Sequence, residues 1–367
     1  MDPFSQAALG AVVGQAVGHR TLGYRAAAYG ALAGALPDID VFFSLTGDFA
    51  DQLLTHRGIT HSLFFAPVVG PVLGWLVWQR TRRRDPDSGI RERNTWILVI
   101  SLALLSHPLL DLLTPYGTQL LQPFSNARFA INAMPIVDPV YTLALGSGLL
   151  LAWLPALRPR LPAAPMALAT LLLSSSYLGY GWLQNVRAET AAAAQLSAAG
   201  VRWERLSAFP TILQVHLRRV VARSAGTDRV GFYSTWTPCD ITWHSAARTD
   251  PASYAPFLKT RTGGIFDWFA MGWAHYAVTT GSDGARLEAS DLRYGFDDDP
   301  LASVFTVTVP LDARGMPAGP ARAGRTTPPD AERALERMVA QTYAPACQVF
   351  STGAIPEHMD DNGAQHE

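Results

Sequence analysis

Charge is what this sequence has least of. Only 16 % of its 367 residues are Asp, Glu, Lys or Arg, against roughly a quarter in ordinary soluble domains. The net charge of −1 gives no basic field for nucleic acid, and no such partner is expected. Cysteine is nearly absent as well. Cys239 and Cys347 are the only two, and neither has the CxxC or Cys–His spacing of a zinc site. They read as two isolated residues or, in an oxidising compartment, as one disulfide. There is no internal repeat and no nucleotide-binding glycine motif. Met1-Asp2-Pro3 lacks a basic leader, and no small-residue cleavage site follows a short apolar core. Targeting is therefore expected from the apolar segments themselves.

Those segments fill the chain up to about Gln184, after which it turns polar and rich in Arg, Asp and Trp. The mean hydropathy of +0.10 thus averages two unlike halves. The expected fold is mainly α. A multi-pass helical membrane domain covers 1–186, a C-terminal α+β extramembrane domain covers 187–352, and a disordered tail covers 353–367. Gln6 to Val17 and Tyr24 to Leu36 are short for a bilayer core of about 30 Å. Gly30 and Gly34, however, have the small-xxx-small spacing that lets two helices close into a tight hairpin.

Pro37 is expected to end the second helix, and Ser44 to Thr55 reads as a polar connector. Spans are expected over Ser62 to Gln79, Thr95 to Leu113, Asp138 to Leu157 and Pro165 to Trp182. The run Arg80-Thr81-Arg82-Arg83-Arg84 and the pair Arg158 and Arg160 then share one side, which the positive-inside rule makes cytoplasmic. Trp75, Trp78 and Trp96 read as membrane-interface anchors. Beyond Gln184 the pattern suggests a helix stopped by Gly200. Strand-like runs follow at Val230 to Trp236, Ile241 to Trp243, Trp273 to Thr279 and Ser303 to Val309, separated by turn signals. Pro329 to Tyr343 reads as a further helix. His216, His244 and His275 are scattered and read as surface or packing residues.

The chemistry concentrates in three short clusters: Asp38 and Asp40, His56 and His61, and His107 and Asp111. Each lies at the edge of an apolar segment, where ionisable groups are costly and read as functional. With the arginines cytoplasmic, all three fall on the opposite side, together with the loop from Pro115 to Val137 and the aqueous domain. His107 and Asp111 are four apart and share a helix face. His56 and His61 flank Gly58 on a turn, and Asp38 and Asp40 suit an extended turn after Pro37.

Mixed imidazole and carboxylate ligands suit zinc, or alternatively manganese or iron, as one or two ions. Two ions bridged by a carboxylate suit phosphoester hydrolysis. Arg57 or Arg128 could grip a phosphate in a bidentate fork, and His56 or Asp138 could move the proton. Taken singly, each residue has a plainer reading as a cap, a kink or an interfacial group. Their convergence on one side favours metal.

At these residues the sequence resembles the YdjM-type family of bacterial inner-membrane metal-dependent hydrolases. The likeness lies in Met1-Asp2-Pro3, Leu36-Pro37-Asp38-Ile39-Asp40, His56-Arg57-Gly58-Ile59-Thr60-His61-Ser62 and Ser106-His107-Pro108-Leu109-Leu110-Asp111. It continues through Pro115-Tyr116-Gly117-Thr118-Gln119, Pro123-Phe124-Ser125 and Val137-Asp138-Pro139, and more weakly at Ser290-Asp291-Leu292-Arg293-Tyr294-Gly295. Through that family it is distantly similar to zinc-dependent phospholipase C and the S1/P1 nucleases. The resemblance implies a helical metal-dependent hydrolase, with Asp38, Asp40, His56, His61, His107 and Asp111 as ligands. One position departs: Gln6 stands where the family usually has a histidine, which implies one ion fewer or weaker binding.

The expectation is an inner-membrane enzyme with a periplasmic C-terminal domain, acting on a phosphoester or related bond of a lipid or envelope substrate beside the lipid bilayer. The alternative is a metal-stabilised membrane scaffold whose periplasmic domain binds a partner.

Overall fold

Asp2 starts the first helix: its carboxylate accepts the Phe4 and Ser5 amides at 3.1 and 3.0 Å, with Pro3 at the first helical position. This is a helix N-cap with the proline where its missing N–H costs nothing. A computed structural model describes residues 1–44, 47–84, 87–154, 162–282, 284–296, 302–325 and 331–344. In it α1 runs Pro3–Leu22 and turns at Gly23 (φ +60°) into α2, Arg25–Ala35. The two form the expected hairpin. A Cβ on Gly34 would stand 2.6 Å from the Gln6 carbonyl oxygen, and one on Gly30 would collide with the Gly10 carbonyl. Only glycine permits this approach of backbones.

Helix α1 packs on α2 and on three later helices: α5 (Ile90–Leu112), α6 (Pro139–Trp153) and α7 (Ala163–Ala198). Helix α4, Phe65–Arg82, pairs with α5. Between α2 and α4 the chain forms a 3-10 segment Leu36–Ser44, helix α3 (Phe49–Thr55) and a 3-10 turn Ile59–His61. The expected polar connector is thus partly helical. Asp48 and Asp51 cap α3 reciprocally, each side chain accepting the other's amide, which is the capping-box arrangement.

Among the described residues one helix, α5, is long and apolar enough to cross a membrane alone. The segments Phe49–His61 and Phe65–Arg82, bent by 63°, pass the same test only together. Apolar side chains nonetheless face outward along the bundle: Val68, Val72 and Leu76 on α4, Leu143 and Leu150 on α6, Leu168, Leu172 and Leu173 on α7. Two tryptophans correct the sequence reading. Trp96 is fully buried and Trp78 is 8 % exposed, packed with Leu22, Ala26 and Val99; Trp75 alone of the three is exposed. They are core residues between α1, α4 and α5, not interface anchors.

A second correction concerns α7. The expected span and the expected following helix are one element of 36 residues, with no break at Gln184. It ends as anticipated, at Ala198, with Gly200 in the left-handed region (φ +69°). The basic pair Arg158 and Arg160, Cys347 and the tail from 353 lie outside the described residues. Cys239 is disulfide-bonded.

The C-terminal part is two antiparallel four-stranded meanders. The first holds β1 Arg205–Pro210, β2 Leu217–Ser224, β3 Thr227–Ser234 and β4 His244–Ala247. The second holds β5 Ala274–Gly281, β6 Gly284–Asp291, β7 Phe305–Pro310 and β8 Arg322–Arg325. Helices α8 (Pro251–Leu258) and α9 (Arg261–Phe269) connect them, and α10 (Ala331–Tyr343) packs on β2 and β3. The run at Ile241 to Trp243 is not a strand; β1, β2, β4, β6 and β8 have no counterpart in the expectation.

Strand β2 carries two buried arginines in sequence. Arg218 donates to the carbonyls of Asn132, Ala133 and Gly181, and Arg219 to that of Leu292. The first ties this sheet to α7 and to the loop after α5.

A buried ion pair closes the other side of β2. Arg223 grips Asp228 at 2.8 and 3.1 Å, and His275 approaches the same carboxylate at 2.8 Å. Burial alone would raise the Asp228 pKa, but the hydrogen bonds from His275 and Arg223 outweigh it and hold the carboxyl below its ordinary range. Its folded pKa thus lies under the unfolded value of about 3.9. The stabilisation is complete above about pH 4 and is lost as pH falls through the native pKa. Asp228→Asn is therefore expected to cost about 3 kcal/mol at neutral pH and to flatten the acid limb of stability. Chemical unfolding of both proteins across that pH range, followed by tryptophan fluorescence, measures it; parallel acid limbs would contradict the assignment.

Candidate metal centre

Three elements deliver the three clusters to one end of the helix bundle. The 3-10 segment after α2 carries Asp38 and Asp40; these sit on a tightened helical turn, not the extended one expected. The link from α3 to α4 carries His56 and His61, and the last turns of α5 carry His107 and Asp111. Arg57 adopts φ +61°, an uncommon conformation for a residue with a side chain and one that costs on the order of 1 kcal/mol. The Asp40 carboxylate steadies it, accepting the Arg57 amide at 2.8 Å.

Asp38, His61, His107 and Asp111 each offer a ligand atom within 4.8 Å of the others, and Asp38, Asp40 and His56 form a second such group sharing Asp38. In the tetrad, His61 Nε2 lies 2.9 Å from His107 Nε2. Asp38 Oδ1 is 3.4 Å from both nitrogens, and Asp111 Oδ2 is 3.2 and 3.6 Å from them. Tetrahedral ligands at about 2.0–2.1 Å from a zinc ion stand about 3.3 Å apart. The four carboxylate–imidazole separations, 3.2–3.6 Å, bracket that spacing, and the two imidazole nitrogens stand closer, at 2.9 Å.

Hydrogen bonding fixes which nitrogens are available. His107 Nδ1 sits 2.6 Å from the Gly34 carbonyl oxygen, which can only accept, so Nδ1 carries the proton. His61 Nδ1 lies 3.1 Å from both Thr60 Oγ1 and Asp40 Oδ2; with the Thr60 hydroxyl donating to Asp40, Nδ1 faces acceptors and carries the proton. The two Nε2 atoms then face each other across 2.9 Å between the Asp38 and Asp111 carboxylates, an approach that a proton or a cation between them makes favourable. A second bond that sets the tautomer is what metal-binding histidines commonly have. Asp38 Oδ2 is buried with no hydrogen-bond partner, and Asp111 Oδ2 has only its charge contacts with Arg57 and the imidazoles, which leaves these carboxylates acceptor capacity that a cation would take up. The residues fit a divalent ion.

Asp111 is the most heavily engaged carboxylate. Its Oδ1 accepts the Met1 amino group and Gln6 Nε2, the latter at 3.0 Å. Gln6 thus occupies the site's edge, with its own Oε1 buried and unpartnered. Arg57 Nε lies 3.1 Å from Asp111 Oδ2, and its Nη1 donates to Thr114 Oγ1 at 2.7 Å. Burial would raise the carboxyls of Asp38 and Asp40, but bonds from His107 and His61 on the first, and from His56 and His61 on the second, hold both well below the usual range. His56, its side chain 21 % exposed, pairs through Nδ1 with Asp40 at 2.9 Å; the His61, His107 and Asp111 side chains are wholly buried.

Two expected participants have other partners. Asp138 caps α6, accepting the Tyr141 amide at 2.9 Å and the Tyr177 hydroxyl at 3.1 Å. It belongs to neither metal-ligating group. Asp138→Ala is expected to cost about 1–2 kcal/mol as a lost cap and to leave metal binding unchanged, which a thermal melt beside a metal titration checks. Arg128 is buried and donates to the carbonyls of Leu53, Tyr116 and Gly117, so its fork serves backbone, not the centre.

Residues 1–188 match the YdjM inner membrane protein family. The chain belongs to that family. It is also 33 % identical over 163 residues to the inner membrane protein YbcI of Escherichia coli, an alignment covering 41 % of this chain and 90 % of YbcI. To the uncharacterized protein YfhP of Bacillus subtilis it is 32 % identical over 112 residues, 29 % of this chain and 31 % of YfhP. No solved structure matches. The family region holds every ligand candidate and stops ten residues before the end of α7, so the two sheets stand outside it.

Proposed function

We propose that this chain is a membrane-bound metal-dependent hydrolase acting on a phosphoester or related bond of a lipid or envelope substrate. The observation that carries this reading is the approach of the His61 and His107 Nε2 atoms to 2.9 Å between two buried carboxylates. Asp38, His61, His107 and Asp111 hold the ion; Asp38, with Asp40 and His56, offers a place for a second. When bound, a divalent ion there supplies Lewis acidity and a hydroxide nucleophile at neutral pH. Zinc suits the tetrad, and manganese or iron are the alternatives.

His56 is the least buried of the three imidazoles. Its Nδ1 is held by Asp40, which leaves Nε2 to take and return a proton. The exposed apolar side chains of Ile59, Phe64 and Phe124 around this end suit a substrate whose tail stays in the bilayer. Orientation with the sheets in the periplasm is supported by the opposite placement of Arg80 and Arg82 at the far end of α4, and by the disulfide of Cys239.

Lipid phosphoester turnover by detergent-purified protein, before and after chelation, is the test. His56→Gln is expected to keep the tetrad's ion while turnover falls about 100-fold; wild-type turnover in the variant would exclude His56 as the proton carrier. Metal affinity should also rise with pH, because the ion must displace the proton that the surrounding carboxylates hold on the His61 imidazole. Cobalt titrations on either side of neutrality measure this, and a flat profile would contradict the tautomer argument. Full burial of three of the four tetrad residues favours a second reading, a closed structural metal in a scaffold. Unfolding on chelation selects the scaffold, and loss of turnover with the fold retained selects the enzyme.

A further inference from the structure

The two-sheet domain lies beyond the family match, which ends at residue 188, yet its side chains reach the turn that supports the candidate metal centre. Arg293, buried behind β6, is held by the Asp291 carboxylate through Nε and Nη2 at 2.9 and 2.6 Å. Its Nη1 donates to the Pro115 carbonyl and its Nη2 to the Phe269 carbonyl, each at 2.7 Å.

Pro115 follows Thr114, the residue whose hydroxyl holds Arg57 at 2.7 Å. Arg57 in turn lies against Asp111 of the tetrad. Tyr116, next along, is wedged between the guanidinium groups of Arg57 and Arg128, 4.8 and 5.1 Å from its ring centre. The ring's edge packs on Phe269 and Phe305, at 5.0 and 6.2 Å. Leu53 of α3 and Tyr116 belong to the same buried cluster as Phe257, Phe266 and Phe269. The turn at 114–116 is therefore held from one side by the centre's own arginine and from the other by residues some 180 positions away.

We propose that Arg293 is a positioning residue for the metal centre, so that the C-terminal domain braces Arg57 and, through it, the Asp111 carboxylate. The proposal rests on reading the tetrad as a metal site. Arginine suits the task because one planar fork serves a carboxylate and two carbonyls at once, which a lysine's single point charge cannot do. Arg293→Lys keeps the charge beside Asp291 but gives up at least one of those carbonyls. Loosening the support of a ligand, rather than the ligand itself, lowers affinity by roughly ten- to a hundredfold.

The experiment uses the full chain in detergent, with Arg293→Lys beside Asp228→Asn as a control that weakens a buried pair of the same domain without touching the turn. Cobalt affinity and the cobalt visible spectrum are read together with hydrogen exchange of residues 113–119 in metal-free protein. The expected result is a tenfold or greater loss of cobalt affinity, a shifted spectrum and faster exchange in Arg293→Lys, with the control like wild type. If wild type binds no cobalt, the metal reading fails, and exchange alone then decides the brace. Wild-type exchange in Arg293→Lys, or wild-type cobalt affinity where wild type binds, overturns the proposal. Should Arg293→Lys not fold, the neutral pair Asp291→Asn with Arg293→Met removes the same contacts without stranding a charge and is read the same way.

Discussion

His107→Ala is expected to weaken divalent-metal binding by more than about 100-fold, beyond the effect of losing a supporting residue alone. The variant removes one of four ligands and also the bond from Nδ1 to the Gly34 carbonyl that fixes the ring. Alanine favours the helix, so α5 should persist, and Pro108 is already accommodated there. Cobalt titration of the two proteins, with melting curves to establish that both are folded, gives the answer. A variant that binds cobalt as tightly as wild type, with an unchanged spectrum, would remove His107 from the ligand set.

The second large effect lies away from the ligands. Gly30→Leu is expected to cost about 3 kcal/mol or more, at or beyond the upper end for overpacking. The atom a new Cβ would meet is the Gly10 carbonyl oxygen, with the Gly14 Cα 3.1 Å away. Backbone cannot rotate aside as a side chain can, so the hairpin of α1 and α2 must part. Gly34, one turn later, supplies the carbonyl that orients His107, and the Leu36–Ser44 segment with Asp38 and Asp40 follows α2 directly. The variant is therefore expected to lose metal along with stability. Thermal unfolding monitored beside cobalt binding separates the outcomes; a stable variant with intact binding would show that the close approach is dispensable.

The parts of this account that were legible in the sequence share a physical cause. The six ligand candidates stood out because carboxylates and imidazoles beside apolar runs are expensive, and the structure brings all six to one end of the bundle. The glycine spacing read correctly as a hairpin, since small residues at every fourth position leave few other uses. Gly200 stopped its helix for the local reason expected.

What was not legible depended on partners far along the chain. Trp78 and Trp96 look like interface anchors by composition, but nothing in hydropathy distinguishes a tryptophan facing lipid from one facing α1. Leu217–Ser224 holds three arginines and did not read as a strand. It is a fully buried one because Arg218 and Arg219 find carbonyls at Asn132, Ala133, Gly181 and Leu292. Spacing suggests that Arg57 or Arg128 could bind a phosphate. Their observed partners are Asp111, Thr114 and backbone carbonyls, contacts between the family region's own turns that spacing alone does not reveal. Helix α7 ran through Gln184 because a polar face does not break a helix when a folded sheet lies against it.

Elemental analysis of the detergent-purified full chain, expressed with zinc and manganese supplied, tests the central claim most directly. One or two equivalents of divalent metal per chain, removed by chelation and restored by adding zinc or manganese back, is the result the account predicts. A folded protein that carries no metal and takes up none on addition would contradict it, and would leave the facing imidazoles to share a proton in a membrane protein with another purpose.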